Sequence, residues 1–287
     1  MKTIKIAGVP EHFNLPWHLC IQNNEFQSEG IDLEWTDVPE GTGKLCQMLR
    51  SKETDIAVIL TEGIIKDIVA GNESKIVQVY VESPLIWGIH VDAKSPYKQL
   101  SDLKNKKVAI SRIGSGSQLM AYVNAHNQSR IDPGWKTDNL KFEIVNTIDG
   151  AVEALSKGTA DYFMWERFMT KPLVDKGIFR RIDDCPTPWP CFVIAVRNEI
   201  LDTCPEIIEK ILEIINNKTV SFKDIPNIDS ILALKYNQKI DDIREWLSLT
   251  DWSQNQLNEG MLNKVQNQLL ELAIIDKKGT FADIVKS

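Results

Sequence analysis

The first half of the chain alternates short apolar runs with amphipathic stretches. Residues 3–9 alternate apolar and polar positions, which predicts a strand. Residues 15–27 have the spacing of a helix, with Pro16 accommodated in its first turn. Residues 30–37 (GIDLEWTD) alternate again, and a Gly-rich turn then opens a short helix with Leu45, Met48 and Leu49 on one face. Residues 54–60 (TDIAVIL) form a nearly continuous apolar run, the pattern of a parallel strand covered on both faces. A helix is expected over 62–70, and strands over 74–81 and 85–91.

The rhythm restarts after residue 98. Strands are expected at 107–111, 140–145, 160–165 and 179–182. Helices are expected from Ser117, over 148–157 and up to Lys176. Residues 191–196 (CFVIAV) predict another strand, and from Pro205 onward the chain is helical, with Trp246 and Trp252 assigned to the core of those helices. Strands alternating with helices of this length imply βαβ units and parallel sheets. The late strand and the helices after it have no counterpart in the second copy, so they are expected to pack back on the first. The fold class is α/β, with two Rossmann-like lobes joined by a hinge. Lobe I is residues 1–88 plus 192–287 and lobe II is residues 89–191, with crossings near 86–91 and 188–193. A ligand is expected in the cleft between the lobes.

Composition narrows the function. The 287 residues carry 33 basic and 40 acidic side chains, a net charge of -7, which leaves no electrostatic footprint for nucleic acid. No segment approaches the roughly 18 uninterrupted apolar residues of a membrane span, so no membrane insertion is expected. The opening MKTIKIAGVPEHF lacks the apolar core of a signal peptide. The expected location is therefore cytoplasmic, or periplasmic if a leader has been trimmed. Five cysteines without CxxC spacing, and four histidines without HExxH or paired i, i+4 spacing, give neither a disulfide framework nor a metal site. No cofactor and no catalytic residue is assigned.

The candidate ligand-binding residues are those expected at the carboxyl ends of strands or in turns that open helices. Gly41-Thr42-Gly43-Lys44 and Gly114-Ser115-Gly116-Ser117 are two such turns, at equivalent places in the duplicated module. Glycine permits close backbone approach, and free N–H groups at a helix N-terminus favour an anion. Neither turn is a P-loop or a dinucleotide fingerprint. Strand-end logic adds Glu11 and His12 at a cleft rim, Thr61 and Glu62, Arg112, and Trp165 with Glu166. Trp87 and Trp189 fall at the two crossings. Aromatic walls beside an anion cradle suit a small, flat ligand with a negative group, and the glutamates suit an amine or ring N–H on it.

Taken together, GVPEHFNLPWHLC, TDVPEGTGKLCQML, TDIAVILTEGI and GAVEALSKGTADYFMWE resemble type II periplasmic-binding-protein folds over nearly the whole chain. The most specific element, DLKNKKVAISRIGSGSQLMAYV, resembles the opening of that family's second lobe, with Asn105 where a Gly is usual. The nearest branch is the nitrate/sulfonate/taurine substrate-binding proteins, with the fungal thiamine-pyrimidine synthesis proteins. The resemblance implies a substrate-binding protein for a small anionic or heterocyclic metabolite, closing about its hinge and related to ABC-transporter components, with a transporter or regulatory partner left open. An enzyme on the same fold is the alternative, in thiamine-pyrimidine or menaquinone synthesis. CPTPWPCF, with Cys185 and Cys191, is only a faint echo of the cysteine-rich run of the thiamine proteins.

Overall fold

The computed structural model describes residues 2–286, and the first alternating segment forms strand β1, Lys2–Gly8. The helix expected over 15–27 is two helices, α1 (Leu15–Gln22) and α2 (Glu25–Ser28). Asn24 interrupts them with φ 57°, the left-handed region that asparagine tolerates better than most side chains. β2 (Ile31–Asp37), α3 (Thr42–Arg50), β3 (Ile56–Leu60), α4 (Thr61–Val69) and β4 (Ser74–Val81) follow.

The second copy begins with β5 (Ile86–Asp92), then β6 (Lys107–Ile110), α5 (Gly116–Ser129), β7 (Lys141–Ile144) and α6 (Ile148–Lys157). Gly158 closes α6 in the left-handed conformation, φ 68°. β8 (Tyr162–Glu166), α7 (Arg167–Asp175) and β9 (Phe179–Pro186) complete it. β9 runs four residues past its expected end because it pairs with β5 along its whole length. β10 (Phe192–Arg197) precedes helices α8 (Asn198–Thr203), α9 (Pro205–Val220), α10 (Ile228–Tyr236), α11 (Ile240–Leu249), α12 (Glu259–Glu271) and α13 (Phe281–Ile284). Trp252 lies outside these helices, in an extended segment that bridges to Val81.

The strands build two five-stranded mixed sheets, ordered β2-β1-β3-β10-β4 and β7-β6-β8-β5-β9. In the first, β1 runs parallel to β2 and β3, and β10 runs antiparallel between β3 and β4. In the second, β6 runs parallel to β7 and β8, and β5 runs antiparallel between β8 and β9. Each sheet thus contains one antiparallel strand, and β10 reaches the first sheet only after the chain has passed through the whole second unit. β10 is buried at all six positions, which is why its run is apolar without alternation.

The chain divides into two compact units, Met1–Pro84 with Pro188–Ser287 and Leu85–Thr187. Both boundaries differ by a few residues from the sequence expectation. Residues 85–88 belong to the second unit, since Ile86, Trp87 and Gly88 pair with Pro186, Cys185 and Asp184 of β9. Residues 188–191 belong to the first, where the Thr61 hydroxyl donates to the Pro190 carbonyl at 2.6 Å. Among the described residues no helix is long and apolar enough to cross a membrane.

Candidate functional site

In the first unit β3 ends at Leu60 and its chain turns directly into α4. Glu62, in the first turn of α4, is 2% exposed. Its carboxylate accepts from the Trp189 indole N–H at 2.8 Å, so two candidates 127 positions apart form one hydrogen-bonded pair. Burial pushes the Glu62 carboxyl up to about 7, an effect its own backbone and the Trp189 N–H only partly offset. Thr61 is fully buried, and besides Pro190 its N–H reaches the Cys191 carbonyl at 3.2 Å.

The start of α3 abuts the start of α4. A Cβ placed on Gly63 would fall 2.2 Å from Thr42 Cγ2, so Gly63 is small because Thr42 is there. Gly41 caps α3 with φ 75° and ψ -158°, a backbone conformation open to glycine and little else. The carbonyl of Gly41 accepts from the N–H groups of Lys44 and Leu45. Gly43 is exposed. The Lys44 ammonium lies 3.4 Å from Glu53 and is thus committed to an acid on its own surface.

Glu11 and His12 follow β1. Glu11 is half-buried, and its carbonyl accepts from the Tyr236 hydroxyl at 3.2 Å. His12 does not lie on an open rim: it is fully buried, with its ring 4.6 Å from that of Tyr236 and 5.1 Å from that of Trp246. Helices α10 and α11 cover it, and nothing local to residues 9–13 signals that cover. Burial lowers its pKa to about 4, with Gln238 pulling the other way, so the ring is neutral at pH 7.

In the second unit the turn at 114–117 opens α5, as its pattern predicts, and two of its N–H groups are used internally. The Gly114 N–H donates to Gln118 Oε1 at 2.6 Å, and the Ser115 N–H donates to the Arg112 carbonyl. Ser115 Oγ caps the helix by accepting from the Gln118 N–H at 3.3 Å. Ser117 Oγ accepts from the Ser111 N–H at 3.0 Å, tying the turn to the end of β6. Within the turn, then, the N–H groups of Gly114, Ser115 and Gln118 are answered by its own side chains and backbone. Gly116 and Arg112 are half-buried.

Glu166 ends β8 and caps α7, accepting from the Met169 N–H at 2.6 Å and from the Phe168 N–H. It is 4% exposed, and burial pushes its carboxyl up to about 7. Trp87 lies directly opposite it across the β5–β8 pair. The Trp87 and Trp165 rings meet edge to face at 6.3 Å, and Trp165 stacks on Phe163 at 5.3 Å. Sequence reasoning missed Phe163 and Ser111, which carry no signal beyond ordinary strand composition.

The structure gathers these candidates into two sets, one in each unit, at a strand-to-helix junction on the carboxyl side of a parallel strand. Each set has a buried carboxyl group beside a tryptophan. A cavity of about 260 Å³ lies instead at the amino edge of the first sheet, lined by residues such as Arg50, Lys52, Arg197 and Glu199. Its cations are already ion-paired: Arg197 with Asp55 at 2.6 Å, Lys52 with Glu199 at 2.7 Å, and Arg50 with Asp67. No cluster of three or more His, Cys, Asp or Glu is placed to hold a metal among the described residues.

A profile of the Ca3427-like PBP family matches residues 87–185, about a third of the chain. The Candida albicans CA3427 gene product, described as having the generic periplasmic binding protein fold, is 25% identical. It covers 100% of this chain and 96% of its own, with a TM-score of 0.89. The periplasmic aliphatic sulphonate binding protein SsuA of Escherichia coli is 17% identical, covering 100% and 92%, with a TM-score of 0.76. The alkanesulfonate-binding protein SsuA of Xanthomonas axonopodis pv. citri, bound to MOPS, is 14% identical, covering 99% and 98%, with a TM-score of 0.80. No curated protein matches the chain. The chain has the periplasmic-binding-protein fold.

Proposed function

We propose that the protein binds a small metabolite, anionic or heterocyclic, taking it up on the strand-end faces of both units and closing about the two crossings as a hinge. One observation carries this reading: each unit buries a carboxyl group beside a tryptophan at the carboxyl end of a parallel strand. Open α/β sheets bind ligands at strand carboxyl ends. A buried carboxyl held near neutrality is a costly group to retain in a merely structural role. The sulfonate-binding proteins with the same fold support the reading, and we place the chain beside their branch, which its LKNKKVAISRIGSGS segment resembles.

The candidates we assign to ligand contact are Glu62 and Trp189 in the first unit, and Trp87, Trp165 and Glu166 in the second. Thr42, Thr61, Ser115 and Ser117 position the backbone around them. We place the protein in the cytosol. Its five cysteines are buried and odd in number, and burial pushes the Cys20 and Cys185 thiols up to about 12, which keeps them protonated. Recovery of the protein outside the cytosol on cell fractionation would refute that placement.

The deciding experiment is a metabolite screen by thermal shift, followed by titration of Glu62→Ala and Glu166→Ala. A compound that stabilises the wild type and loses affinity in both variants supports the reading. A compound that stabilises all three chains alike puts the site elsewhere.

A further inference from the structure

The cavity of about 260 Å³ in the first unit is framed by the end of α3, the turn after α4 and the junction of β10 with α8. Three cations line it, Arg50, Lys52 and Arg197, together with two carboxylates, Glu73 and Glu199. It shares no residue with the strand-end candidates. The ion pairs around it are of two kinds. Arg197 with Asp55 at 2.6 Å joins two largely buried side chains and holds the guanidinium in place. Glu199 is different: it is 54% exposed, and its single oxygen Oε2 accepts from Lys52 at 2.7 Å and from Arg197 at 2.9 Å. Exposed ion pairs contribute little to stability. Another carboxylate can therefore take the place of Glu199 at small cost, while Asp55 keeps Arg197 in position.

Two further observations say what that carboxylate should belong to. Arg197 is 8% exposed, and its Nε has no hydrogen-bond partner. Buried donors in native structures are almost always satisfied, so this guanidinium keeps a donor that the protein itself leaves unanswered. Glu73 supplies the opposite pole. It is exposed, its backbone carbonyl accepts from the Asn198 N–H at 2.9 Å, and its carboxylate has no ion-pair partner among the described residues. An anion without a positive group would meet like charge at Glu73. A cation without a negative group would meet it at Arg50, Lys52 and Arg197. Like charges brought together suppress wrong partners in this way. A molecule with one charge of each sign satisfies both poles.

We infer that this cavity is a second binding site, for a small amino acid, whose carboxylate replaces that of Glu199 between Lys52 and Arg197 and whose ammonium pairs with Glu73. The site stands at the amino edge of the first sheet, where β10 ends, and so is separate from the strand-end face that carries Glu62 and Trp189.

The test uses the full chain and four probes: L-alanine and 4-aminobutyrate, which carry both charges at a short and a longer separation; butyrate, with the carboxylate alone; and butylamine, with the ammonium alone. In calorimetric titration near neutral pH at least one of the two amino acids should bind about tenfold or more tighter than butyrate and butylamine, the worth of one charged hydrogen bond. Glu73→Gln removes the negative pole and should weaken that amino acid about tenfold, to the level of butyrate. Glu199→Gln removes the competing carboxylate and should strengthen it about two- to fivefold, the size of an exposed ion pair. The wild-type ranking stands whether or not the variants fold. Amino acids that bind no tighter than butyrate overturn the inference, and so does silence from all four probes. Amino-acid binding that Glu73→Gln leaves level, or that Glu199→Gln fails to strengthen, also overturns it and leaves the strand-end reading intact.

Discussion

Glu62 and Glu166 are the two buried carboxyl groups of the candidate sites, and burial moves both well above the ordinary carboxylate range. Glu62 moves from 4.5 to about 7 on burial. A carboxyl with a raised folded-state pKa takes up a proton on folding. Its contribution to stability is complete below pH 4.5 and is lost as the pH rises to about 7. Glu62→Gln cannot ionise, and its amide oxygen can still accept from Trp189. The variant should therefore be more stable than the wild type above pH 7, by on the order of 3 kcal/mol, with the gap closing toward pH 4.5. Urea denaturation of both chains across that range checks this, and parallel curves would show that Glu62 does not titrate there. Trp189→Phe removes the only side-chain donor described for Glu62 and should cost about 1–3 kcal/mol at pH 8. In a Glu62→Gln background the cost should be smaller, because no charge is then left unanswered. Both residues were legible as strand-end and crossing positions, but the hydrogen bond between them was not.

Helix starts were the most legible features among the elements, and their neighbours the least. The turn at 114–117 announces α5, and Ser115 caps it by accepting from the Gln118 N–H. Ser115→Ala should cost about 1 kcal/mol in thermal denaturation without changing the sheet, whereas a cost near zero would mean that a neighbouring hydroxyl, Ser117, takes over. Gly63 in α4 reads in sequence as a weak point in a helix. Its reason lies across space, at Thr42 Cγ2. Gly63→Ala should therefore destabilise by about 1–3 kcal/mol through overpacking. In a Thr42→Ser background, where that methyl is gone, the same change should be neutral or stabilise by up to about 1 kcal/mol, since alanine is the better helix former. A double-mutant cycle reads the coupling directly, and equal effects in both backgrounds would refute the contact. The single helix expected over 15–27 failed for a comparable reason: its apolar spacing was genuine, but Asn24 adopts a left-handed backbone that periodicity does not report.

For the whole molecule, a ligand that binds the native chain and not the unfolded one should raise stability by about 2.7 kcal/mol at a hundredfold excess over its Kd. Single-tryptophan variants locate it. Trp87 and Trp189 should change emission, while Trp246, 1% exposed in α11, should not. A response from Trp246 alone would put the ligand against the C-terminal helices. The sequence by itself determined the local grammar: the alternating start of β1, the unbroken apolar runs of β3 and β10, the doubled strand–helix rhythm and hence two sheets. These follow from side-chain period and burial, which each segment carries within itself. Tertiary structure alone decided that β10 enters the first sheet between β3 and β4 and that β5 enters the second between β8 and β9. It decided that His12 lies beneath α10 and α11. It also brought the carboxylate of Glu62 to the indole of Trp189. A segment encodes which of its faces avoids water, but which distant surface covers that face, and which donor meets a buried acid there, is fixed only when the two surfaces close on each other.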